Sequence, residues 1–573
     1  MPMSEDAGAV PDPGGPNRTA PIPAAAANIP AAVADTSAAE PRFDTIAGVL
    51  RRQVRARGDH PLLICDDDRL TYAGAEHRSA LLARGLIALG VGKGTHVGLL
   101  HPNGPQFLIG MLAAARIGAV VIPFSTFATA TELREQLVHS DVRVLLAAAG
   151  YRGHDYVQRL TEVLDAALPP RSQPLFHTAA PQLRHVFFED APPSAPGTAE
   201  LLRLTDTVDP ELLAALEADV RESDPLAIVY TSGSTAAPKG VIHSHGALLG
   251  HQRNLDAIRG LTERDRLFCN SPFFWIGGFA FGLLATLVAG ATLICSNATD
   301  AADTLDLLEA ERPTMTNGFA AGIAHLALHP SFPGRDLSSM RRGNLYPIMP
   351  PELRPRDPEL RHAMLGLTEA GSVALIDPDE TDQPEHRRGS FGRPAPGFDT
   401  RLVDPETGAD VAVGELGELY LRGPYLMQGY HRRSREDCFD PDGWFHTGDL
   451  MRADADGYLY YAGRRSSMIK TAGADVSPAE VEKAIAAVTG GTVAHVLGVP
   501  DPERGAVVAA VLVVPAGRSV DTTALREALR ERLSAYKIPR RWCTVPPAGV
   551  PLMSSGKLDR PALLRLFDAP AAP

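Results

Sequence analysis

Cysteine is scarce. Its five residues (Cys65, Cys269, Cys295, Cys438 and Cys543) are scattered over 573 positions with no CxxC pair. That excludes a disulfide scaffold and a cysteine zinc site, and fits a reducing, cytoplasmic setting. An excess of basic residues is also missing. The net charge of −13 argues against a non-specific nucleic-acid partner, although a local phosphate site needs only a few donors. Uninterrupted apolar runs are nearly absent as well. The exception is GGFAFGLLATLVAGATLIC, from Gly277 to Cys295, which approaches the roughly 20 residues of a spanning helix. Its glycines, Gly290 above all, predict instead a buried helix, a glycine cap and a buried strand, so no transmembrane segment is expected. Residues 1–40 lack the basic start and the unbroken apolar stretch of a secretory signal. They are rich in Ala, Pro and Gly and read as a disordered tail.

What is present is 45% hydrophobic and 21% charged residues, the composition of a soluble globular protein with ample core. Helical and strand periods alternate from Phe43. Tyr72 to Leu89 predicts a helix, Thr95 to Leu100 a strand, Gln106 to Ile117 a helix, Ala119 to Pro123 a strand, Thr131 to Ser140 a helix and Val142 to Ala148 a strand. Such alternation predicts parallel βαβ units, whose ligands gather at the carboxyl ends of the strands. TRLVDPETG and GELYLRG, between Thr400 and Gly423, predict a small β-rich subdomain. Past Arg464 the pattern predicts a separate small α/β domain. The fold class is therefore α/β, with a tail over 1–40, a large N-terminal domain over 41–465 and a small C-terminal domain over 466–573.

Chemistry concentrates in Tyr230-Thr-Ser-Gly-Ser-Thr-Ala-Ala-Pro-Lys-Gly240, directly after a strand. Its hydroxyls and Gly233 suit a loop that wraps phosphate oxygens, and Lys239 adds a fixed positive charge. It is not a GxxxxGK[ST] loop, because Pro238 stands where the second Gly belongs. Further segments follow in order: Gly366-Leu-Thr-Glu369, Gly417-Glu-Leu-Tyr-Leu-Arg-Gly423, Gly443-Trp-Phe-His-Thr-Gly-Asp449, Asp456-Gly-Tyr-Leu-Tyr-Tyr-Ala-Gly-Arg464, Val476-Ser-Pro-Ala-Glu-Val-Glu482, Tyr536-Lys-Ile-Pro539 and Ser555-Gly-Lys557. In sequence and spacing this set resembles the adenylate-forming superfamily, which includes acyl- and aryl-CoA synthetases. The resemblance covers about Phe43 to Leu566.

The resemblance implies an ATP-dependent acid–thiol ligase. A carboxylate is a poor acylating agent, and attack on the α-phosphate of ATP turns it into an acyl-adenylate with AMP as leaving group. Two anions must meet, so the barrier falls through charge neutralisation and positioning. By resemblance, Thr231, Ser232, Gly233, Ser234, Thr235, Lys239 and Thr368 contact phosphate, and Glu369 holds Mg²⁺. Asp449 accepts hydrogen bonds from the ribose hydroxyls, and Arg464 contacts ribose and phosphate. Leu365 stands where relatives stack a Tyr on adenine. Lys557, Glu369 and Thr231 carry catalysis, with Lys557 serving the adenylation step only. The resemblance also implies that the C-terminal domain is mobile and turns between the two half-reactions.

Some residues depart from the pattern. Besides Leu365, Tyr346-Pro-Ile-Met replaces a usual Gly-Ala-Pro element, and Ser466 and Ser467 stand at the hinge. The HSHGALLGH segment (His243, His245, His251) reads as helix-start or surface histidines rather than a metal site. Pro272-Phe-Phe-Trp-Ile-Gly-Gly278 matches the acid-pocket segment and carries no acidic residue, which disfavours amino-acid substrates. Trp275, Gly277, Gly278 and Phe319 predict a roomy apolar pocket for a fatty, sterol-side-chain or aryl acid. ATP and Mg²⁺ are the expected cofactors. Coenzyme A is the expected thiol because no carrier-domain motif follows Lys557. A separate acyl carrier protein as acceptor, and a non-catalytic nucleotide-binding paralogue, are the alternatives.

Overall fold

The computed structural model describes residues 44–231, 239–318, 323–471, 474–501, 505–515, 517–530, 532–533, 537–553 and 557–568. The tail over 1–40 lies outside them.

Two sheets and the helices between them build the large lobe. In the first, six strands run in the order Arg342–Gly343, Met315–Asn317, Arg266–Cys269, Thr292–Cys295, Pro61–Cys65 and Asp68–Thr71. The first five are parallel and the last closes as an antiparallel hairpin. In the second, seven strands run Gly429–Tyr430, Lys239–Ser244, Pro225–Thr231, Val120–Pro123, His96–Leu100, Val144–Ala148 and His185–Glu189. Its parallel centre, His96–Leu100 flanked by Val120–Pro123 and Val144–Ala148, is the βαβ pattern that the periodicity predicts. Strands buried on both faces read as continuous apolar runs, as VGLL and VVI do here.

Local signals set the helix ends. Thr71 accepts from the Gly74 amide to start Tyr72–Ala88. Pro105 occupies the first turn of Pro105–Arg116, where its missing N–H costs nothing. A Thr129/Glu132 capping box opens Ala130–His139. The helix Pro105–Arg116 is buried along its length; with Tyr72–Ala88 it shares the main apolar core, which takes residues from both sheets.

The apolar run from Gly277 resolves into a π-helical segment Gly277–Leu284, an α-helical continuation Ala285–Ala289, and the strand Thr292–Cys295. Gly290 caps the helix at φ +76°, where an added Cβ would lie 2.6 Å from Gln53 Oε1. The π geometry was not expected, since periodicity does not separate i→i+4 from i→i+5 bonding. Among the described residues no helix is long and apolar enough to cross a membrane.

Two small sheets follow: Leu365–Leu367, Ser372–Ile376 and Arg393–Pro394, then the antiparallel Asp399–Val403, Gly417–Arg422, Phe445–Ala453 and Leu459–Arg464. The small lobe holds a sheet of Ala474–Val476, Ile469–Thr471, Gly505–Val513, Ala494–Asp501 and Arg541–Val545. The helices Pro478–Thr489 and Thr522–Arg530 pack on it.

Arg116, at the end of the central helix, has a side chain only 2% exposed, and pairs with Glu217 and Glu76, each at 2.5 Å. It also donates to Ser79 Oγ at 2.9 Å. Removing one member of a buried ion network strands the others without a partner, at a cost of about 3–5 kcal/mol. Arg116→Ala is therefore expected to lower the unfolding free energy of the large lobe by that amount, measured by denaturant titration followed by tryptophan fluorescence.

Candidate active site

Asp449 and Arg464 are 15 positions apart in sequence, yet the antiparallel pairing of Phe445–Ala453 with Leu459–Arg464 sets them directly opposite each other. The Arg464 guanidinium meets the Asp449 carboxylate at 2.8 Å and donates to the Thr447 carbonyl at 3.0 Å. Gly448, at φ +74°, lets the strand bulge between Thr447 and Asp449, in a conformation that L side chains resist. Asp449 is buried, and burial pushes its carboxyl up to about 6, against the opposing pull of Arg464. The charge on Glu369 pushes in the same direction as burial, so the two carboxylates share one electrostatic site, and Tyr461 adds a hydrogen bond to Asp449.

Glu369 lies in the short 3₁₀ turn Thr368–Ala370 between two strands. One of its oxygens accepts from the Tyr430 hydroxyl at 2.7 Å. Burial and the Glu369 charge together hold the Tyr430 phenol well above its usual range, so it stays a donor. The Lys239 ammonium lies 5.3 Å from the centre of the Tyr430 ring. Lys239 pairs in register with Thr231 at the mouth of a β-hairpin, so both predicted phosphate contacts stand at one end of the second sheet. Ser232, Gly233, Ser234, Thr235 and Phe319 lie outside the described residues.

Three buried side chains fasten the Thr368–Glu369 turn from behind. His243 Nε2 lies 2.7 Å from the Thr368 carbonyl, and His251 Nε2 lies 2.9 Å from the Val373 carbonyl. Gln252 donates to the Gly371 carbonyl at 3.2 Å. The surface reading of His243, His245 and His251 is corrected here: all three are 0% exposed. Burial pushes His243 and His245 down to about 4 and His251 to about 3, so they are neutral near pH 7. Neutral imidazoles can donate from Nε2 to these carbonyls. His245 uses Nδ1 to accept from the Ile46 amide at 3.2 Å.

Lys557 belongs to a tight hairpin in which Leu552 pairs with Leu558, and the Met553 amide donates to the Lys557 carbonyl at 2.7 Å. Its ammonium is drawn below the usual lysine range, first by desolvation in the cleft and then by the charge of Arg464. The Lys557 side chain is exposed, and the Arg464 charge that acts on it is the one paired with Asp449. Contacts that join the small lobe to the large one include the Ser477 hydroxyl, which donates to the Ala462 carbonyl, and Lys483, which meets Glu359 at 2.8 Å.

Leu365 is separated from this group. Its side chain packs in the apolar cluster with Leu367, Val373 and Leu375, which leaves little face for a base. Trp275 stands in an aromatic group with Phe274 and Phe127, ring centres 5.4 and 6.4 Å away. The two glycines beside it differ in purpose. A Cβ on Gly277 would meet nothing within 4 Å, whereas one on Gly278 would lie 2.1 Å from the Pro272 carbonyl oxygen. Gly277 faces open space; Gly278 allows close backbone packing. Sequence reasoning missed Tyr430, Tyr461 and the tethering role of His243, none of which carries a spacing signal.

The fit to a magnesium ion can be judged from the donors. Among the described residues there is no cluster of three His, Cys, Asp or Glu side chains able to hold a metal. Glu369 offers one carboxylate oxygen not taken by Tyr430. That suits Mg²⁺, which takes one or two carboxylates and fills its remaining positions with phosphate oxygens and water.

The family model for the AMP-binding enzymes matches residues 50–431, and that for the AMP-binding enzyme C-terminal domain matches residues 480–557. The 3-[(3aS,4S,7aS)-7a-methyl-1,5-dioxo-octahydro-1H-inden-4-yl]propanoyl:CoA ligase of Mycobacterium tuberculosis is 33% identical over 535 residues, 91% of this chain and 99% of the relative. A feruloyl-CoA synthase of Amycolatopsis is 33% identical over 478 residues, 82% of this chain and 89% of the relative. Among solved structures, the anthranilate CoA ligase AuaEII in complex with anthranoyl-AMP has a TM-score of 0.74 at 23% identity, covering 91% of this chain and 97% of that one.

Gly278→Ala should force the Pro272 backbone to move and cost about 1–3 kcal/mol, while Gly277→Ala should leave stability unchanged; thermal melts of the two variants side by side check this. With two family models matched in order along its length and near-full-length relatives that make CoA thioesters, this chain belongs to the AMP-binding enzyme family, as an ATP-dependent carbon–sulfur ligase.

Proposed function

We propose that this ligase activates a bulky, ring-bearing carboxylic acid as its adenylate and transfers the acyl group to free coenzyme A. The observation that carries this is the Asp449–Arg464 pair at 2.8 Å, with the charge of Glu369 acting on Asp449 and that of Arg464 acting on Lys557. Two carboxylates and two cations at that spot suit a magnesium-bound triphosphate whose ribose and α-phosphate must both be held.

In this reading Asp449 accepts from the ribose hydroxyls, and Arg464 both orients that carboxylate and reaches toward phosphate. Thr231, Lys239 and Thr368 hold the outer phosphates, together with Ser232, Gly233, Ser234 and Thr235. Glu369 would hold Mg²⁺, which when bound neutralises phosphate charge. Tyr430 fixes the Glu369 carboxylate by its hydrogen bond, and His243 fixes the Thr368 carbonyl. Lys557 stabilises the charge that develops as the acid attacks the α-phosphate.

Support for a bulky acid comes from the open space over Gly277, from the absence of an acidic residue between Pro272 and Gly278, and from relatives named for an indenyl propanoate, ferulate and indoleacetate. Free CoA is preferred to an acyl carrier protein because those relatives are named as CoA ligases or synthases. The thiols of all five cysteines are unpaired, which supports the cytoplasmic reading.

Incubation with ATP, Mg²⁺ and a panel of ring-bearing acids should release pyrophosphate, and added CoA should then release AMP and a thioester. No pyrophosphate release across the panel would reject the proposal. Lys557→Ala is expected to slow adenylate formation by about 10²–10³ while leaving thioester formation from synthetic acyl-AMP largely intact. Quenched-flow assay of each half-reaction separates the two.

The elevated Asp449 carboxyl predicts a pH dependence with a definite sign. As pH falls through about 6 the carboxylate takes up a proton and loses its capacity to accept from both ribose hydroxyls. Adenosine affinity should therefore drop by up to about tenfold for each unit below that midpoint. Calorimetric titrations with adenosine, which has no phosphate to titrate in this range, from about pH 7.5 down to about pH 5 should follow this curve, and Asp449→Asn should flatten it.

A further inference from the structure

Between the strand Arg266–Cys269 and the π-helical Gly277–Leu284, residues 270–275 belong to no helix or strand. Ser271 and Phe273 are nevertheless buried, and buried backbone groups need partners. One side chain, 170 positions away, supplies two of them. Asn103 Nδ2 donates to the Ser271 carbonyl at 2.9 Å, and the Phe273 amide donates to Asn103 Oδ1 at 2.7 Å. A peptide N–H can only donate and a peptide carbonyl can only accept, so this pairing suits the two ends of an asparagine amide in one orientation. Between the two bonds lies Pro272. Its carbonyl accepts from the Trp275 amide at 3.1 Å and lies against Gly278. The clamp therefore sets the carbonyl from which Trp275 hangs. Phe273 is held a second way. Its ring stands edge-on to that of Phe107, centres 5.5 Å apart, in the first turn of the helix that Asn103 precedes.

Asn103 is itself anchored. It lies just past the carboxyl end of His96–Leu100, a central strand of the second sheet. Its backbone carbonyl accepts from Asn297 Nδ2 at 2.6 Å. Asn297 follows the carboxyl end of Thr292–Cys295 in the first sheet, and its own amide donates to Asp66 Oδ2 at 3.0 Å, next to the end of Pro61–Cys65. These hydrogen bonds join the carboxyl ends of parallel strands from both sheets to the segment that Asn103 grips.

The crevice outside such strand ends is where parallel sheets bind ligands. On that side the segment changes character. Trp275 and Gly277 are half-buried, and Gly277 faces open space. Phe127, whose ring packs near Trp275, follows a further strand end, that of Val120–Pro123. One edge of the segment is thus tied by an amide while its apolar residues border the crevice. A shift of the tied edge carries Trp275 with it, and a displacement of about 1 Å is enough to cost a reaction heavily.

We propose that Asn103 is a positioning residue for the acid: by gripping the backbone on either side of Pro272 it fixes where Trp275 and Gly277 stand. This rests on the ligase reading above, in which that segment lines the acid, and adds a residue to it. Two variants of nearly the same shape test it. Asn103→Leu removes both hydrogen bonds. Asn103→Asp keeps the acceptor for the Phe273 amide but turns an oxygen toward the Ser271 carbonyl. Pyrophosphate release is measured with ferulate, indoleacetate and 3-cyclohexylpropanoate, varying the acid at saturating ATP and then ATP at saturating acid. In both variants kcat/KM for the acid is expected to fall by about 10- to 100-fold, while KM for ATP stays where it was. Agreement between the neutral and the charged variant excludes the added charge as the cause. Calorimetric titration with adenosine checks folding, and its affinity should be unchanged; should Asn103→Leu not fold, Asn103→Asp decides. An acid kcat/KM that does not move, or a KM for ATP that rises in step with that for the acid, would overturn the inference and leave the ligase reading standing. No turnover of these acids or of a wider panel by the unaltered chain would sink both.

Discussion

The site depends on one cross-strand pair. Arg464 opposite Asp449 decides how far a buried carboxylate can stay charged beside a second carboxylate, Glu369. Desolvation and Glu369 push Asp449 toward neutrality, and Arg464 opposes them. The same guanidinium depresses the Lys557 ammonium, which approaches from the small lobe. One side chain thus couples the charge of the Asp449 carboxylate to that of the Lys557 ammonium. Like-charge neighbours at close range are costly, and under the proposed reading a polyphosphate would give Lys557 a counter-charge, as Asp449 already gives one to Arg464.

Around this pair the scaffold is stiff. The turn carrying Thr368 and Glu369 is short, and a 3₁₀ turn holds its shape poorly by itself. Its rigidity comes from outside, through His243, His251 and Gln252, which reach its carbonyls from a buried strand and helix. Tyr430 completes the support on the carboxylate side. Groups that act on a reacting centre gain most when their own positions are fixed by packing and hydrogen bonds. Here the fixing groups are themselves uncharged, so they add no competing field.

Much of this was legible in the sequence. Alternating periods gave the βαβ layout because strands buried on both faces leave continuous apolar runs, as at VGLL and VVIP. The motifs named Asp449, Arg464, Glu369 and Lys557 because each carries a charge that the chemistry requires. What stayed hidden depends on three-dimensional meeting. Nothing in HSHGALLGH says that its imidazoles point inward to carbonyls more than 100 positions away. The same holds for Gly278, read as room for a substrate but serving backbone contact, and for Leu365, drawn into an apolar cluster by its neighbours.

Among the described residues, the two side-chain contacts named between the lobes are weak in kind. Lys483 and Glu359 form an ion pair between half-exposed side chains, worth at most about 1 kcal/mol, and the Ser477 bond is a single hydroxyl. An occupant bridging both lobes would therefore add more to their adhesion than either of these contacts does.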